Sequence, residues 1–363
     1  MSLMEEINNR ALALGIPLSV HFDLTYRCNE RCEHCYLDHD DKGELSTSEV
    51  HDLIGQLAGA GVFFLTLSGG EPLLRDDCFD IIETARSYQL NVKLKTNGIL
   101  IREAEARRLR ALGVEQVQIS VYSHRPEVHD GITKVPGSLQ RTLNSIRFLK
   151  SQGLKVTIAN VMMRKNLQDS DRVHDLAKEL GVNFTVDPTI TPRMDGNTDL
   201  LRLRIPSEDL KNVFQNSRLV GNVEEFCAPP KPVDDSIQEG LPCSAGHTMC
   251  YISPYGDLFP CVQFPLPSGN IRLEKFSDIW RNSQQLREVR SIHARDLPVC
   301  SSCSHLGTCT RCPGLAYMEG NMRGHSTADC EKSLARTGIV PASMLLQPMM
   351  EQNLNFRVFP PTP

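Results

Sequence analysis

The sequence has no apolar run long enough to cross a bilayer. Its opening stretch, Met1 to Gly15, reads as an amphipathic helix with Glu5, Glu6 and Arg10, and lacks the apolar core of a signal peptide. The expectation is a cytoplasmic protein with no membrane partner. No basic stripe stands out, and the net charge is −5 with a pI of about 6.1. Nucleic acid is therefore not an expected partner. The 363 residues, 40% of them hydrophobic, suffice for one large domain and a smaller one.

Cysteine is plentiful but unevenly placed. Of thirteen, three fall at 28 to 35 and eight between 243 and 330, with only Cys78 and Cys227 apart. In a reducing compartment such clusters point to metal or iron–sulfur ligation rather than disulfides. Cys28, Cys32 and Cys35 stand at C-x3-C-x2-C spacing, directly behind the alternating, β-prone run Ser19 to Thr25. Three thiols leave one coordination position open, as a catalytic centre requires; a structural zinc site normally fills all four from protein. The alternative is a zinc knuckle that borrows His34 or His39.

Behind this loop, Ser46-Thr47-Ser48-Glu49 reads as a capping box opening a helix with Val50, Leu53, Ile54 and Leu57 on one face. Val62 to Leu67 reads as a buried parallel strand ending in Ser68-Gly69-Gly70-Glu71-Pro72. Helices at Asp77 to Tyr88, Arg102 to Leu112, Leu139 to Lys150 and Ser170 to Leu180 alternate with strands at Asn91 to Lys95, Glu115 to Val121, Lys155 to Met162 and Val182 to Val186. Six strand–helix units predict an α/β fold, a partial (β/α)6 TIM barrel open on one side, since a closed one needs eight. The expected divisions are an N-terminal helix over 1–18, the barrel over 19–187, a proline-rich bridge over 188–241, a cysteine-rich domain over 242–331, and a tail over 332–363. One short helix is expected in the bridge, from Ser207 to about Asn216. Cys78 reads as a small buried hydrophobe and His21 as an interior or surface residue. Cys227 reads as an extra ligand, a substrate-contacting thiol or neither.

The polar signatures sit at the C-terminal ends of the strands, where parallel α/β barrels gather their chemistry. In Gly69-Gly70-Glu71-Pro72, the glycines let the backbone approach a ligand and Glu71 can accept from an ammonium. Thr96-Asn97-Gly98 ends the third strand and Ser120 the fourth. Taken in order behind the cysteine loop, these residues resemble the core of the radical S-adenosylmethionine (SAM) superfamily. That resemblance implies a [4Fe-4S] cluster on Cys28, Cys32 and Cys35, whose fourth iron takes the amino and carboxylate groups of SAM. It places His34 near the adenine and Glu71 on the SAM amino group. It sets Thr96, Asn97 and Ser120 toward the ribose and methionyl part, and Asn160 and Arg164 toward ribose and carboxylate. Where many relatives read Ser-Leu-Asp-Gly, this chain reads Ser120-Val121-Tyr122-Ser123, so no role passes to Tyr122 or Ser123.

The second cysteine region contains Cys243, Cys250, a hairpin with its turn at Pro254-Tyr255-Gly256-Asp257, and then Cys261. Cys300-x2-Cys303-x5-Cys309-x2-Cys312 and Cys330 follow. Spacing alone also allows zinc-ribbon sites. The pattern resembles the SPASM extension of radical SAM enzymes, except that its last short gap is two residues instead of three. The resemblance implies a cysteine-rich SPASM domain with two auxiliary [4Fe-4S] clusters. Cys243, Cys250, Cys261 and Cys312 would bind the nearer and Cys300, Cys303, Cys309 and Cys330 the outer.

The activity implied is reductive cleavage of SAM to a 5′-deoxyadenosyl radical, which abstracts hydrogen from a substrate. Among SPASM relatives the leading expectation is a ribosomally made peptide, crosslinked or otherwise modified. Sulfatase-maturase-like and small-molecule or heme-pathway chemistry are the alternatives, and a multi-zinc scaffold is the non-enzyme one. A ferredoxin or flavodoxin is the expected reductant. About twenty residues precede the first strand, so a leader peptide is expected to need a separate recognition protein or different contacts.

Overall fold

The computed structural model describes residues 2–39 and 42–346. Helix α1 (Leu3–Leu14) is closed by a capping box between Ser2 and Glu5. Trp280 anchors its far end, its indole Nε1 donating to the Gly15 carbonyl at 2.7 Å. There follow β1 (Ser19–Thr25), α2 (Thr47–Gly59), β2 (Phe64–Gly69), α3 (Cys78–Ser87), β3 (Asn91–Thr96), α4 (Glu103–Ala111), β4 (Gln116–Ser120), α5 (Pro126–Thr133), α6 (Ser138–Ser151), β5 (Lys155–Val161), α7 (Ser170–Glu179) and β6 (Asn183–Asp187). The expected capping box at Ser46 and Glu49 is formed, and Val50, Leu53, Ile54 and Leu57 are fully buried. β1 to β6 lie side by side in chain order, all parallel. Helix α5, with proline in its first turn, is an addition to the expected elements.

Residues 188–241 hold α8 (Ser207–Phe214) and three single-turn helices, α9 (Ser217–Val220), α10 (Val223–Phe226) and α11 (Asp235–Gln238). The cysteine-rich region then rejoins the barrel. β7 (Met249–Ile252) pairs parallel with the free edge of β1, from Ser19 opposite Met249 to Phe22 opposite Ile252. β8 (Asp257–Phe259) and β9 (Gly269–Asn270) add antiparallel strands, making one nine-stranded sheet in the order β6-β5-β4-β3-β2-β1-β7-β8-β9. The hairpin turn falls where expected, with Gly256 at φ +88°. Helices α12 (Phe276–Asn282), α13 (Gln284–Arg290), α14 (Pro313–Met318), α15 (Thr327–Thr337) and α16 (Ala342–Leu346) complete the described chain. The tail expected from residue 332 begins inside α15, and its part beyond Leu346 lies outside the described residues.

Strand alternation decides the character of the two sheet faces. Val20, Phe22, Leu24, Leu65, Leu67, Val92, Leu94, Val117, Ile119, Val156 and Ile158 form the core with the helices. The intervening positions are polar: His21, Asp23, Thr66, Lys93, Lys95, Gln116, Gln118, Thr157 and Thr185. The stretch expected to be continuously buried, Val62 to Leu67, is fully buried only at Leu65 and Leu67 among its strand residues. A closed eight-stranded barrel fills its interior with branched apolar side chains. This partial one keeps a polar concave face.

Candidate functional site

The three-thiol loop leaves the C-terminal end of β1. The Cys35 amide donates to the Cys32 carbonyl at 3.1 Å, and the Glu30 amide reaches the Cys28 sulfur at 3.4 Å. All three thiols are free and partly exposed. Burial pushes Cys28 up to about 12 and raises Cys32 and Cys35 as well. Metal ligation must displace those protons, which couples loading of the loop to pH. Glu30 stands inside the loop, 3% exposed, accepting from the Cys32 thiol at 3.3 Å; burial raises its carboxyl to about 7.

The glycine pair is what joins this loop to β2. A Cβ on Gly69 would stand 2.2 Å from the Thr25 carbonyl oxygen, and one on Gly70 2.4 Å from that of Arg27. Gly69 also has φ +135°, which side-chain-bearing residues avoid. Without side chains the two backbones touch: the Gly70 amide donates to Thr25 O at 2.7 Å and the Glu71 amide to Arg27 O at 2.9 Å. The two glycines also allow a close approach to the cysteine loop itself.

Glu71 is fully buried. Its carboxylate accepts from the Thr96 hydroxyl at 2.8 Å to each oxygen, the Asn97 amide at 2.9 Å and the Leu73 amide at 3.1 Å. Desolvation outweighs these donors and lifts the carboxyl to about 7. Here Glu71 ties the ends of β2 and β3 together. Asn97 extends the tie, donating to the Asn29 side chain at 2.6 Å and standing 4.0 Å from the Cys28 sulfur. Pro72, also buried, opens the short turn that follows.

His34 packs edge-on against Tyr122 with ring centroids 4.8 Å apart, and burial holds it neutral with a pKa of about 4. Among the described residues its Nδ1 has no hydrogen-bond partner. Ser120 ends β4. Asn160, 1% exposed, donates to the carbonyls of Val121 and Tyr122 at 2.7 and 3.1 Å, and its Oδ1 is buried without a partner among the described residues. An orphaned ring nitrogen and an orphaned amide oxygen beside a thiol loop suit a ligand with amine and hydroxyl donors, as an adenosyl group has. Arg164 lies three residues past the end of β5 and is exposed. Tyr122 has no role assigned from sequence, yet its hydroxyl stands 3.9 Å from the Cys32 sulfur. Only the departure from the acidic residue common in relatives marks that position.

The later cysteines gather in two groups. Cys261 lies within electrostatic range of Cys243, Cys250 and Cys312, and Cys330 within range of Cys300, Cys303 and Cys309. The second four line a cavity of about 240 Å³, many times the ~10–15 Å³ a single water-sized occupant needs. That space fits a cluster of several atoms better than one ion. Among the described residues no three Cys, His, Asp or Glu side chains converge on a single-ion site. Ser343 donates to the Cys330 sulfur at 3.0 Å and Ser333 to that of Cys309 at 3.5 Å. Cys78 is fully buried beneath the sheet. Cys227 donates to the Phe214 carbonyl at 3.3 Å and packs among apolar residues of α8.

A loop of three thiols at the strand ends of a partial parallel barrel is the arrangement that the resemblance to radical SAM enzymes implies. Family comparison agrees: the model for the Radical SAM superfamily matches residues 22–183, and that for an iron-sulfur cluster-binding domain, SPASM, matches residues 243–313. The chain belongs to the radical SAM superfamily, carries a SPASM domain, and is an iron–sulfur enzyme that uses SAM. It is 29% identical over 324 residues to an AdoMet-dependent heme synthase of Methanosarcina barkeri, covering 83% of this chain and 92% of that protein. It is 28% identical over 364 residues to the mycofactocin maturase MftC of Mycobacterium tuberculosis, covering 96% and 92%. Streptococcus suis SuiB bound to its precursor peptide SuiA shares the fold, with TM-score 0.71, 18% identity, and coverage of 91% of this chain and 82% of that one. No described helix is long and apolar enough to cross a membrane.

Proposed function

We propose that this enzyme modifies a ribosomally made peptide, through a crosslink or a related change that begins with hydrogen abstraction. The cluster on Cys28, Cys32 and Cys35 would supply reductive cleavage of SAM to methionine and a 5′-deoxyadenosyl radical. The chain's own part is to shape the cavity around that event. Glu71, Thr96 and Asn97 brace the loop. His34 and Asn160 offer unpartnered polar atoms to the adenosyl group, with Gly69, Gly70, Pro72 and Ser120 around them and Arg164 as a cation for the carboxylate.

The observation that carries the peptide reading is the lining of the lumen. A cavity of about 580 Å³ is walled by Thr66, Lys93, Lys95, Gln116, Gln118, Thr157, Asn183 and Thr185, with Phe184 as its one aromatic. Amides and hydroxyls suit a peptide main chain better than a flat apolar macrocycle. End-to-end similarity to a maturase supports the same reading. The heme synthase relatives favour a second, a tetrapyrrole substrate.

The eight later thiols would hold two auxiliary [4Fe-4S] clusters: Cys243, Cys250, Cys261 and Cys312 the nearer, Cys300, Cys303, Cys309 and Cys330 the outer. A ferredoxin or flavodoxin would deliver electrons, and a leader would be recognised by a separate protein or through different contacts. Anaerobically reconstituted enzyme given SAM and dithionite should release 5′-deoxyadenosine, and its absence overturns the proposal. Iron analysis should give about twelve irons per chain if all three sites carry four-iron clusters.

A further inference from the structure

Most charged groups around the thiol loop are engaged. Asp23 accepts from the Tyr251 hydroxyl at 2.9 Å and His21 Nε2 at 3.1 Å. Asp187 caps the Thr189 amide at 2.8 Å. Lys95 is different. It stands on the concave face of β3, one residue before the threonine that holds Glu71, and makes no hydrogen bond or ion pair among the described residues. Its neighbour two positions back, Lys93, likewise has no anionic partner, and rests 5.7 Å over the Phe64 ring. Both ammonium groups line the 580 Å³ lumen. Lys95 is open to solvent within that space yet walled in by the strands, and enclosure lowers its pKa. Its charge is felt by Cys261, the thiol at the centre of the first later group.

An unpaired cation inside a cavity is unfavourable unless water or an anion meets it. The surrounding Gln118, Thr157 and Thr185 are neutral donors and acceptors that can frame an anion; the Asp23 and Asp187 carboxylates favour the charged lysine from a distance but form no ion pair with it among the described residues. We propose that Lys95, with Lys93 behind it, receives a carboxylate of the substrate in the cavity on the concave face of the sheet. On the peptide reading, on which this rests, the carboxylate is an aspartate, a glutamate or a free C-terminus. The same chemistry would seat a carboxylate arm of a tetrapyrrole.

The test uses anaerobic holoenzyme saturated with SAM, so that SAM's own carboxylate is already placed, and no reductant. One probe is a pooled octapeptide library in which each Asp- or Glu-containing member has its Asn or Gln counterpart. The other is coproporphyrin beside its tetramethyl ester. Retained molecules are counted by mass spectrometry for wild type, K95M and K95R.

Wild type should retain acidic members about tenfold over their amides, the ratio expected when a charge-assisted hydrogen bond replaces a neutral one. K95M should lose the preference and K95R keep it. Equal retention of acid and amide by wild type, or an undiminished preference in K95M, overturns the proposal. So does a K95M protein that drops SAM instead of the acidic peptides. Should K95M fail to fold, the wild-type acid-to-amide ratio and K95R still decide. Retention of free coproporphyrin alone, without ester or acidic peptides, upholds the carboxylate site and overturns the peptide reading. Failure of wild type to release 5′-deoxyadenosine in a parallel reaction sinks the proposed function and leaves the retention result to be judged alone.

Discussion

Replacing Gly70 by alanine tests how the thiol loop is held. The new Cβ would meet two backbone oxygens, Arg27 O at 2.4 Å and Tyr26 O at 2.7 Å. Neither can swing aside as a side chain would, so the β2 turn and the loop must part by about 1 Å to restore ordinary contact. That movement breaks or weakens the hydrogen bonds from Gly70 N and Glu71 N, each worth about 0.5–1.5 kcal/mol. Overpacking strain adds about 1–3 kcal/mol. A loss of about 2–6 kcal/mol follows, a large share of the ~5–15 kcal/mol that holds a typical domain folded. Gly59 is the control: it ends α2, has no positive φ, and a Cβ there would meet nothing within 4 Å. Gly59→Ala should be neutral or stabilise by up to about 1 kcal/mol. Urea unfolding of the anaerobic proteins gives the energies, and 5′-deoxyadenosine release reports the loop. Gly70→Ala within about 0.5 kcal/mol of wild type, with full 5′-deoxyadenosine release, would refute the view that backbone contact at this glycine holds the loop.

Three further outcomes are expected. Glu71 has its carboxyl raised from 4.5 to about 7 by burial, so the folded state holds that proton more tightly than the unfolded one. Its contribution is therefore complete below about pH 4.5 and is lost as the pH rises through 7, by at most about 3 kcal/mol. Glu30, also raised to about 7, adds a parallel slope, so Glu71→Gln should flatten the fall in urea midpoint between pH 5 and 8 without abolishing it. An unchanged slope in the variant contradicts the assignment. Asn160→Ala removes the donors to Val121 O and Tyr122 O and should cost about 1–3 kcal/mol, with weaker SAM retention in equilibrium dialysis; unaltered retention would show that its free oxygen faces no ligand. Joint replacement of Cys28, Cys32 and Cys35 by alanine should abolish 5′-deoxyadenosine release yet leave iron bound by the later cysteines, and complete loss of iron would mean that the two regions load as one.

The strand–helix alternation is legible because each unit announces itself locally. Val50, Leu53, Ile54 and Leu57 recur at helical spacing behind a capping box, and Val117 and Ile119 alternate on β4. Helix α5 escapes because Pro126-Glu127-Val128-His129 shows little apolar periodicity, and its stability comes from burial of Val128, His129 and Ile132 against other parts of the fold. The single-turn helices α9, α10 and α11 are too short for any period to register. At the site, residue types are readable but directions are not. Glu71 reads as a group for a ligand, and its oxygens also meet Thr96, Asn97 and Leu73. The glycine pair reads the same way, and it also meets Thr25 and Arg27. Both depend on which loop end lies beside which, a long-range fact that no local pattern carries. Tyr122 escapes notice for the same reason: nothing near it in sequence reveals Cys32.

The pairing of β7 with β1 changes how the cysteine-rich region should be understood. An open parallel sheet exposes the backbone groups of its edge strand, a liability that proteins cover or blunt. Here the edge of β1, the strand that launches the thiol loop, is covered by β7, with Cys250 placed directly opposite Val20. The contact continues through side chains. Tyr251 of β7 donates to Asp23 of β1 at 2.9 Å and lies 2.6 Å, hydroxyl to hydroxyl, from Tyr26 at the root of the loop. All three are at most 5% exposed, so the network is buried where unmade hydrogen bonds are most costly. Position of the first thiol group is therefore set from both sides, by Gly69–Gly70 on β2 and by Tyr251 on β7. A displacement of the cysteine-rich region cannot leave the loop unmoved. The thiol loop and β7, which carries Cys250, are thus parts of one continuous sheet rather than of separable domains.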